Sequence, residues 1–136
     1  MRLPAFLLLT LSASALIACA SPTPTATSVP PLTLTDTDSG KSLTLAVGQT
    51  LVVTLASNRT TGYSWALAAG QDQSVLKLRD SQYQAPSTLM PGAGGQELWT
   101  FTTLAAGSTT LTLNYARPFE PAAPPARTFT LSLTVK

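Results

Sequence analysis

Six carboxylates are the natural candidates for acid–base chemistry in this sequence: Asp36, Asp38, Asp72, Asp80, Glu97 and Glu120. They are scattered. Only Asp36 and Asp38 stand close together, in a turn-like run. The chain has no histidine, which removes the commonest general base and the commonest metal ligand. Ser-His-Asp and Cys-His catalysis are therefore excluded. Its single cysteine, Cys19, can form no intrachain disulfide and no Cys-rich zinc site. The expectation is a protein that is not an enzyme and holds no cofactor and no metal. Charged residues make up 10% of the chain, against roughly 25% in ordinary soluble domains. A net charge of +2 is too weak for a nucleic-acid partner, which needs a clustered basic face.

What remains is the chemistry of recognition, and it is concentrated in three stretches. The first is Asn58-Arg59-Thr60-Thr61-Gly62-Tyr63. Its two β-branched threonines limit local freedom, and Gly62 is suited to a positive φ that closes a turn. The second is Pro91-Gly92-Ala93-Gly94-Gly95. It is almost free of side chains, so its backbone can approach another surface closely. The third is Arg117-Pro118-Phe119-Glu120-Pro121, with Pro124 and Pro125 beyond. Arg and aromatic residues are the usual anchors of protein interfaces. Taken singly, each stretch is also ordinary turn chemistry.

The elements that position these stretches read as strands. From Leu32 onward apolar residues recur with period two and no segment gives an amphipathic helix. Leu43, Leu45 and Val47 alternate, then Leu51, Val53 and Leu55, then Tyr63, Trp65 and Leu67. Val75 to Leu78 forms a short apolar run. Trp99 and Phe101 share a face, as do Leu111, Leu113 and Tyr115, and Phe129, Leu131, Leu133 and Val135. About seven or eight short strands separated by turns predict an all-β domain over residues 32–136. The expected form is an immunoglobulin-like antiparallel β-sandwich. Each strand has one apolar face, so two sheets must pack together. Trp65 is expected as a buried residue of a central strand, and Trp99 and Phe101 as core from the facing sheet. The Thr-rich opposite faces are expected to meet solvent. In such a sandwich the three stretches link strands at one end, as the binding loops of antibodies do.

Residues 1–18 read as an export signal, with Arg2 before an apolar run and small residues after it. Leu16-Ile17-Ala18-Cys19 resembles a bacterial lipobox, in which Cys19 is lipidated and becomes the first mature residue. A second reading is a plain small-x-small cleavage site that releases a secreted, soluble protein. A transmembrane anchor is excluded by the segment's length, its serines and Pro4. Residues 19–31 form a Pro/Thr-rich tether that cannot bury enough apolar surface to fold. The expected location is the bacterial cell envelope, periplasmic or outer, with a membrane contact made through lipid on Cys19.

The three stretches in their order resemble the chagasin family of cysteine-protease inhibitors. That family carries an Asn-Pro-Thr-Thr-Gly-Tyr/Phe loop, a Gly-x-Gly-Gly loop and an Arg-Pro-Trp/Phe loop. Here they stand as Asn58 to Tyr63, Gly92-Ala93-Gly94-Gly95 and Arg117-Pro118-Phe119. The resemblance implies reversible, non-covalent inhibition of papain-like cysteine proteases; a monomer is the default for a wedge that must reach into a cleft. Thr60-Thr61-Gly62 would cover the catalytic thiolate, Gly92 to Gly95 would lie along the non-primed subsites, and Arg117 to Phe119 would pack on the primed side. Two positions depart from the family. Arg59 replaces its usual proline, losing a φ restraint and adding a charge. Phe119 stands where tryptophan is common and lacks the indole N–H. A reading of another class remains beside it: an envelope-anchored immunoglobulin-like module whose loops bind a partner that is not a protease.

Overall fold

The computed structural model describes residues 28–136. The signal segment 1–18, Cys19 and the tether as far as Thr27 lie outside the described residues. Alternation of apolar and hydroxyl-bearing residues builds eight strands. They are β1 (Leu32–Thr35), β2 (Ser42–Leu45), β3 (Thr50–Ser57), β4 (Ser64–Leu67), β5 (Leu76–Gln84), β6 (Gly95–Thr103), β7 (Gly107–Ala116) and β8 (Arg127–Val135). One sheet has the order β1-β3-β6-β5 and the other β2-β8-β7-β4. The core lies between them. Leu51, Val53 and Leu55 of β3, with Trp99 and Phe101 of β6, face Leu111 and Leu113 of β7 and Leu131 and Leu133 of β8. Burying one such side chain stabilises by about 1.5–3 kcal/mol before entropy is counted.

The expected two-sheet sandwich is present, with one difference in pairing. β1 runs parallel to β3, with Leu32 opposite Leu51, and β2 runs parallel to β8, with Leu43 opposite Leu133. Antiparallel pairing through a tight turn needs strands adjacent in sequence, and neither pair is adjacent. The N-terminal segment instead lies along β3, turns over a 3-10 turn at Asp36–Asp38, and crosses to the other sheet. Asp36 secures the crossing by accepting a hydrogen bond from the Ala56 amide at 3.0 Å. Both sheets are thus mixed. The parallel register also fixes a direction. Leu32 sits beside the start of β3, whereas the Asn58 loop follows its end. The chain enters the sandwich at the pole opposite that loop.

Three details differ from the sequence reading. Val47 is 48% exposed, because β2 stops at Leu45 and residues 46–49 turn back, closed by the Gln49 side chain on the Ala46 amide. Trp65 is buried as expected, but β4 is an edge strand. It is covered by Tyr115, whose ring centroid lies 5.1 Å away, and its indole N–H donates to the Ala56 carbonyl. β5 is nine residues long and extends far beyond the apolar run. Its second half is polar and mostly exposed after a register shift between Leu78 and Asp80. Pairing with β6 recruits these residues without burying them, so no period-two signal marks them.

Candidate functional site

Asn58 organises the pole at which β3 ends. Its side chain caps the 3-10 turn Arg59–Thr61: Oδ1 accepts from the Thr60 amide at 3.2 Å and from the Thr60 hydroxyl at 2.5 Å. Such capping is the common use of Asn at a helix start. Its carbonyl accepts from the Thr61 amide at 3.2 Å and hydroxyl at 2.6 Å. The turn ends at Gly62, whose φ of 79° lies in the left-handed region where a Cβ is disfavoured. Thr60 and Thr61 are exposed at the apex.

The other two stretches hold this turn from either side. The Asn58 amide nitrogen Nδ2 donates to the Gly92 carbonyl at 3.0 Å. Gly92 belongs to a four-residue turn, Met90 to Ala93, closed by a 3.1 Å hydrogen bond, with Pro91 second and Gly92 third at φ 79°. Pro followed by Gly with positive φ is the chemistry of a type II turn. On the opposite flank Phe119 leans over Gly62. A Cβ at Gly62 would lie 3.0 Å from the Phe119 ring. Phe119 is nevertheless 68% exposed, and it sits in a turn closed by the Glu120 amide on the Arg117 carbonyl.

Aromatic packing carries this assembly on the core. Tyr63 stacks on Tyr115 with centroids 5.3 Å apart, and the Arg117 guanidinium lies 4.6 Å from the Tyr63 ring centre. Tyr115 Oη accepts from the Asn58 backbone amide at 2.8 Å. Arg117 also pairs with Glu120 at 3.4 Å. Glu97 is buried beneath the first loop, where one of its oxygens accepts from the Ser57 hydroxyl at 2.6 Å and the Trp65 amide at 3.3 Å. Two carboxyl groups, Asp38 and Asp72, are held below the usual carboxylate range. The cause is the Lys41 ammonium for Asp38, and the Ser74 hydroxyl and amide for Asp72. Neither lies on the three loops.

The structure brings Asn58, Thr60, Thr61, Gly62, Gly92 and Phe119 to one pole. Ala93, Gly94 and Pro118 lie on the same two flanking loops. Arg59 turns its side chain inward to an ion pair with Glu97. Tyr63 and Arg117 are half-buried supports, and Gly95 is buried at the start of β6. A Cβ on Gly95 would collide with the Gln84 carbonyl and the Tyr83 ring. Sequence reasoning passed over Leu89 and Met90, both exposed immediately before the Pro-Gly turn. Two large apolar residues outside any alternating pattern, beside a turn signal, were the available clue. It also missed Glu97, a carboxylate in phase with Trp99 and Phe101 on the inward face of β6, and Tyr83 and the Tyr115 hydroxyl, which strand periodicity does not single out.

The three loops meet at one pole of the β-sandwich, with the first held by the other two. The model of the chagasin family of peptidase inhibitors, I42, matches residues 44–133. Chagasin of Trypanosoma cruzi is 34% identical over 97 residues, spanning 69% of this chain and 88% of chagasin. Amoebiasin-1 of Entamoeba histolytica is 33% identical over 95 residues, spanning 70% and 90%. The crystal structure of the cysteine protease inhibitor EhICP2 from Entamoeba histolytica shares the fold, with a TM-score of 0.71 at 24% identity over 79% of this chain and 96% of that one. The chain belongs to the chagasin family of peptidase inhibitors, whose members are not enzymes.

Proposed function

We propose that this protein reversibly and non-covalently inhibits papain-like cysteine proteases by filling the catalytic cleft with its three loops. The observation that carries this reading is the bracing of the Thr60-Thr61 apex from both sides, by Asn58 on Gly92 and by Phe119 over Gly62. An inhibitor that binds with preorganised loops loses little conformational entropy on association. An interface of about 800 Å² per partner would then be enough for tight binding.

The same geometry should resist cleavage. A protease attacks a carbonyl held in line with its nucleophile. Arg59 to Thr61 are curled in a 3-10 turn, with the Gly62 amide donating to the Arg59 carbonyl at 3.1 Å. The Arg59 carbonyl is thus occupied, and the segment is a turn and not an extended strand. The hydroxyls of Thr60 and Thr61 are themselves engaged by Asn58. The apex therefore covers a thiolate without offering it a substrate. Exposed Leu89 and Met90 on one flank and Phe119 on the other supply apolar anchors for subsites on each side of the catalytic centre.

The proposal includes location and state. A monomer anchored through lipid on Cys19 would hold the wedge away from the bilayer, because β1 enters at the far pole. The Pro/Thr-rich composition of residues 19–31 suits a spacer between lipid and domain. Replacing Cys19 with Ser should move the protein from the membrane to the soluble fraction.

The inhibition reading is tested by placing Trp or Asp at Thr60 and Thr61 and assaying papain. Inhibition by the native chain, lost by at least a hundredfold in folded variants, is expected. Unchanged inhibition would place the contact elsewhere. Absence of inhibition by the native chain would favour an envelope binding module with another partner.

A further inference from the structure

Arg59 occupies the position where the family pattern has proline. It is the first residue of the 3-10 turn, a place that suits proline, since the ring fixes φ near −65° and the amide there is not needed by the turn. Arg59 has no ring, yet its side chain is held. Its Nε lies 3.6 Å from Glu97 Oε1, and its guanidinium carbon lies 4.5 Å from the centre of the Tyr83 ring. The Glu97 side chain is 4% exposed and that of Arg59 53%. Among the described residues Arg59 is the one cation within ion-pair distance of this interior carboxylate. The same oxygen already takes hydrogen bonds from Ser57 and Trp65, so its position is fixed before Arg59 arrives.

The two partners of Arg59 belong to the hairpin that carries the second loop. Tyr83 of β5 and Glu97 of β6 are direct cross-strand neighbours. Gly95 lacks a side chain, and this leaves room for the Tyr83 ring beside β6. Arg59 itself belongs to the connection between β3 and β4. Its side chain thus ties the first loop to the base of the second.

We propose that Arg59 is a positioning residue whose guanidinium, clamped by Glu97 and Tyr83, holds the 3-10 turn and fixes the first loop relative to the second. It does with a side chain what proline does with its ring. A planar, delocalised cation suits this place because it can pair with a carboxylate edge-on while lying over an aromatic face. The clamp differs from proline in being electrostatic and half-exposed, so salt weakens it. The effect on affinity rests on the inhibitor reading; the effect on the free loop does not.

The test is amide hydrogen exchange of Thr61 and Gly62 in the free protein, because their amides donate the bonds that close the turn. Arg59→Ala and Glu97→Gln should each speed this exchange by about three- to tenfold. Gln at 97 still accepts from Ser57 and Trp65, so only the charge is removed. The double variant should be no faster than the faster single one, Arg59→Pro should return to the native rate, and raised salt should speed exchange in the native protein but not in Arg59→Pro. Exchange within twofold of native in Arg59→Ala, or independent multiplication of the two single effects, would overturn the proposal. If Glu97→Gln fails to fold, the comparison of Arg59→Ala with Arg59→Pro decides alone. In papain assays Arg59→Ala should weaken inhibition three- to tenfold and Arg59→Pro should restore it. A native chain that does not inhibit papain would defeat the inhibitor reading while leaving the exchange result standing.

Discussion

Truncating Asn58 to alanine removes the link between the first two loops while leaving the strands intact. The side chain makes a cap on the Thr60 amide, a bond to the Thr60 hydroxyl and a bond to the Gly92 carbonyl. Losing an N-cap costs about 1 kcal/mol. Losing a hydrogen bond in an exposed setting, where water replaces the partner, costs about 1 kcal/mol. The loop should therefore lose about 2 kcal/mol of preference for its braced form. If binding requires that form, affinity falls about thirtyfold, since about 1.4 kcal/mol is tenfold. The backbone amide of residue 58 still donates to Tyr115, so the strands stay folded. If the whole of that loss falls on the native state, the thermal midpoint falls by about 8–16 °C, at about 4–8 °C per kcal/mol for a domain of this size. Asn58→Asp keeps the cap but replaces the donor to Gly92 with a carboxylate facing a carbonyl, and should lose about tenfold. The assay is the inhibition constant against papain, with calorimetry alongside. An Asn58→Ala protein that inhibits within twofold of native would refute the argument that loop bracing sets affinity.

Other expectations follow from the same geometry. Gly62→Ala should weaken inhibition about tenfold, because a left-handed residue with a Cβ costs about 1–2 kcal/mol and that Cβ would press on Phe119; inhibition constants would show it. Phe119→Ala and Leu89→Ala should each weaken binding by about 1–2 kcal/mol; the thermal midpoint should stay unchanged for Leu89, which is fully exposed, and fall slightly for Phe119, which packs over Gly62. Gly95→Ala should do the reverse, lowering stability in urea by about 1–3 kcal/mol through overpacking against Gln84 and Tyr83.

Most of the sandwich was legible because its core strands obey a simple rule. Leu51, Val53 and Leu55, or Leu131, Leu133 and Val135, alternate without interruption, and burial follows that alternation. The long β5 was not legible, since Asp80 to Gln84 are held by pairing and not by burial. Parallel placement of β1 and β2 was hidden for a related reason: periodicity shows which face is apolar, not which neighbour a strand will find. At the loop pole, Asn58, the two threonines and Gly62 announced a rigid turn by residue type alone. Their cross-links did not, because Asn58 meets Gly92 across 34 positions and Arg59 meets Glu97 across a different sheet connection. Glu97 stands two residues before Trp99, so period two already places it on the inward face of β6. Its partners Ser57 and Arg59, which only the fold brings to it, reveal it as the base of the first loop.

The most direct test of the account is an active-site titration of papain with a soluble chain beginning at Ser21. The account predicts loss of protease activity in proportion to inhibitor added, reaching completion at one inhibitor per active site. Full activity should return on dilution, and the inhibitor should be recovered uncleaved. Full papain activity in the presence of a large excess of folded protein, or cleavage of the chain between Asn58 and Tyr63, would contradict it.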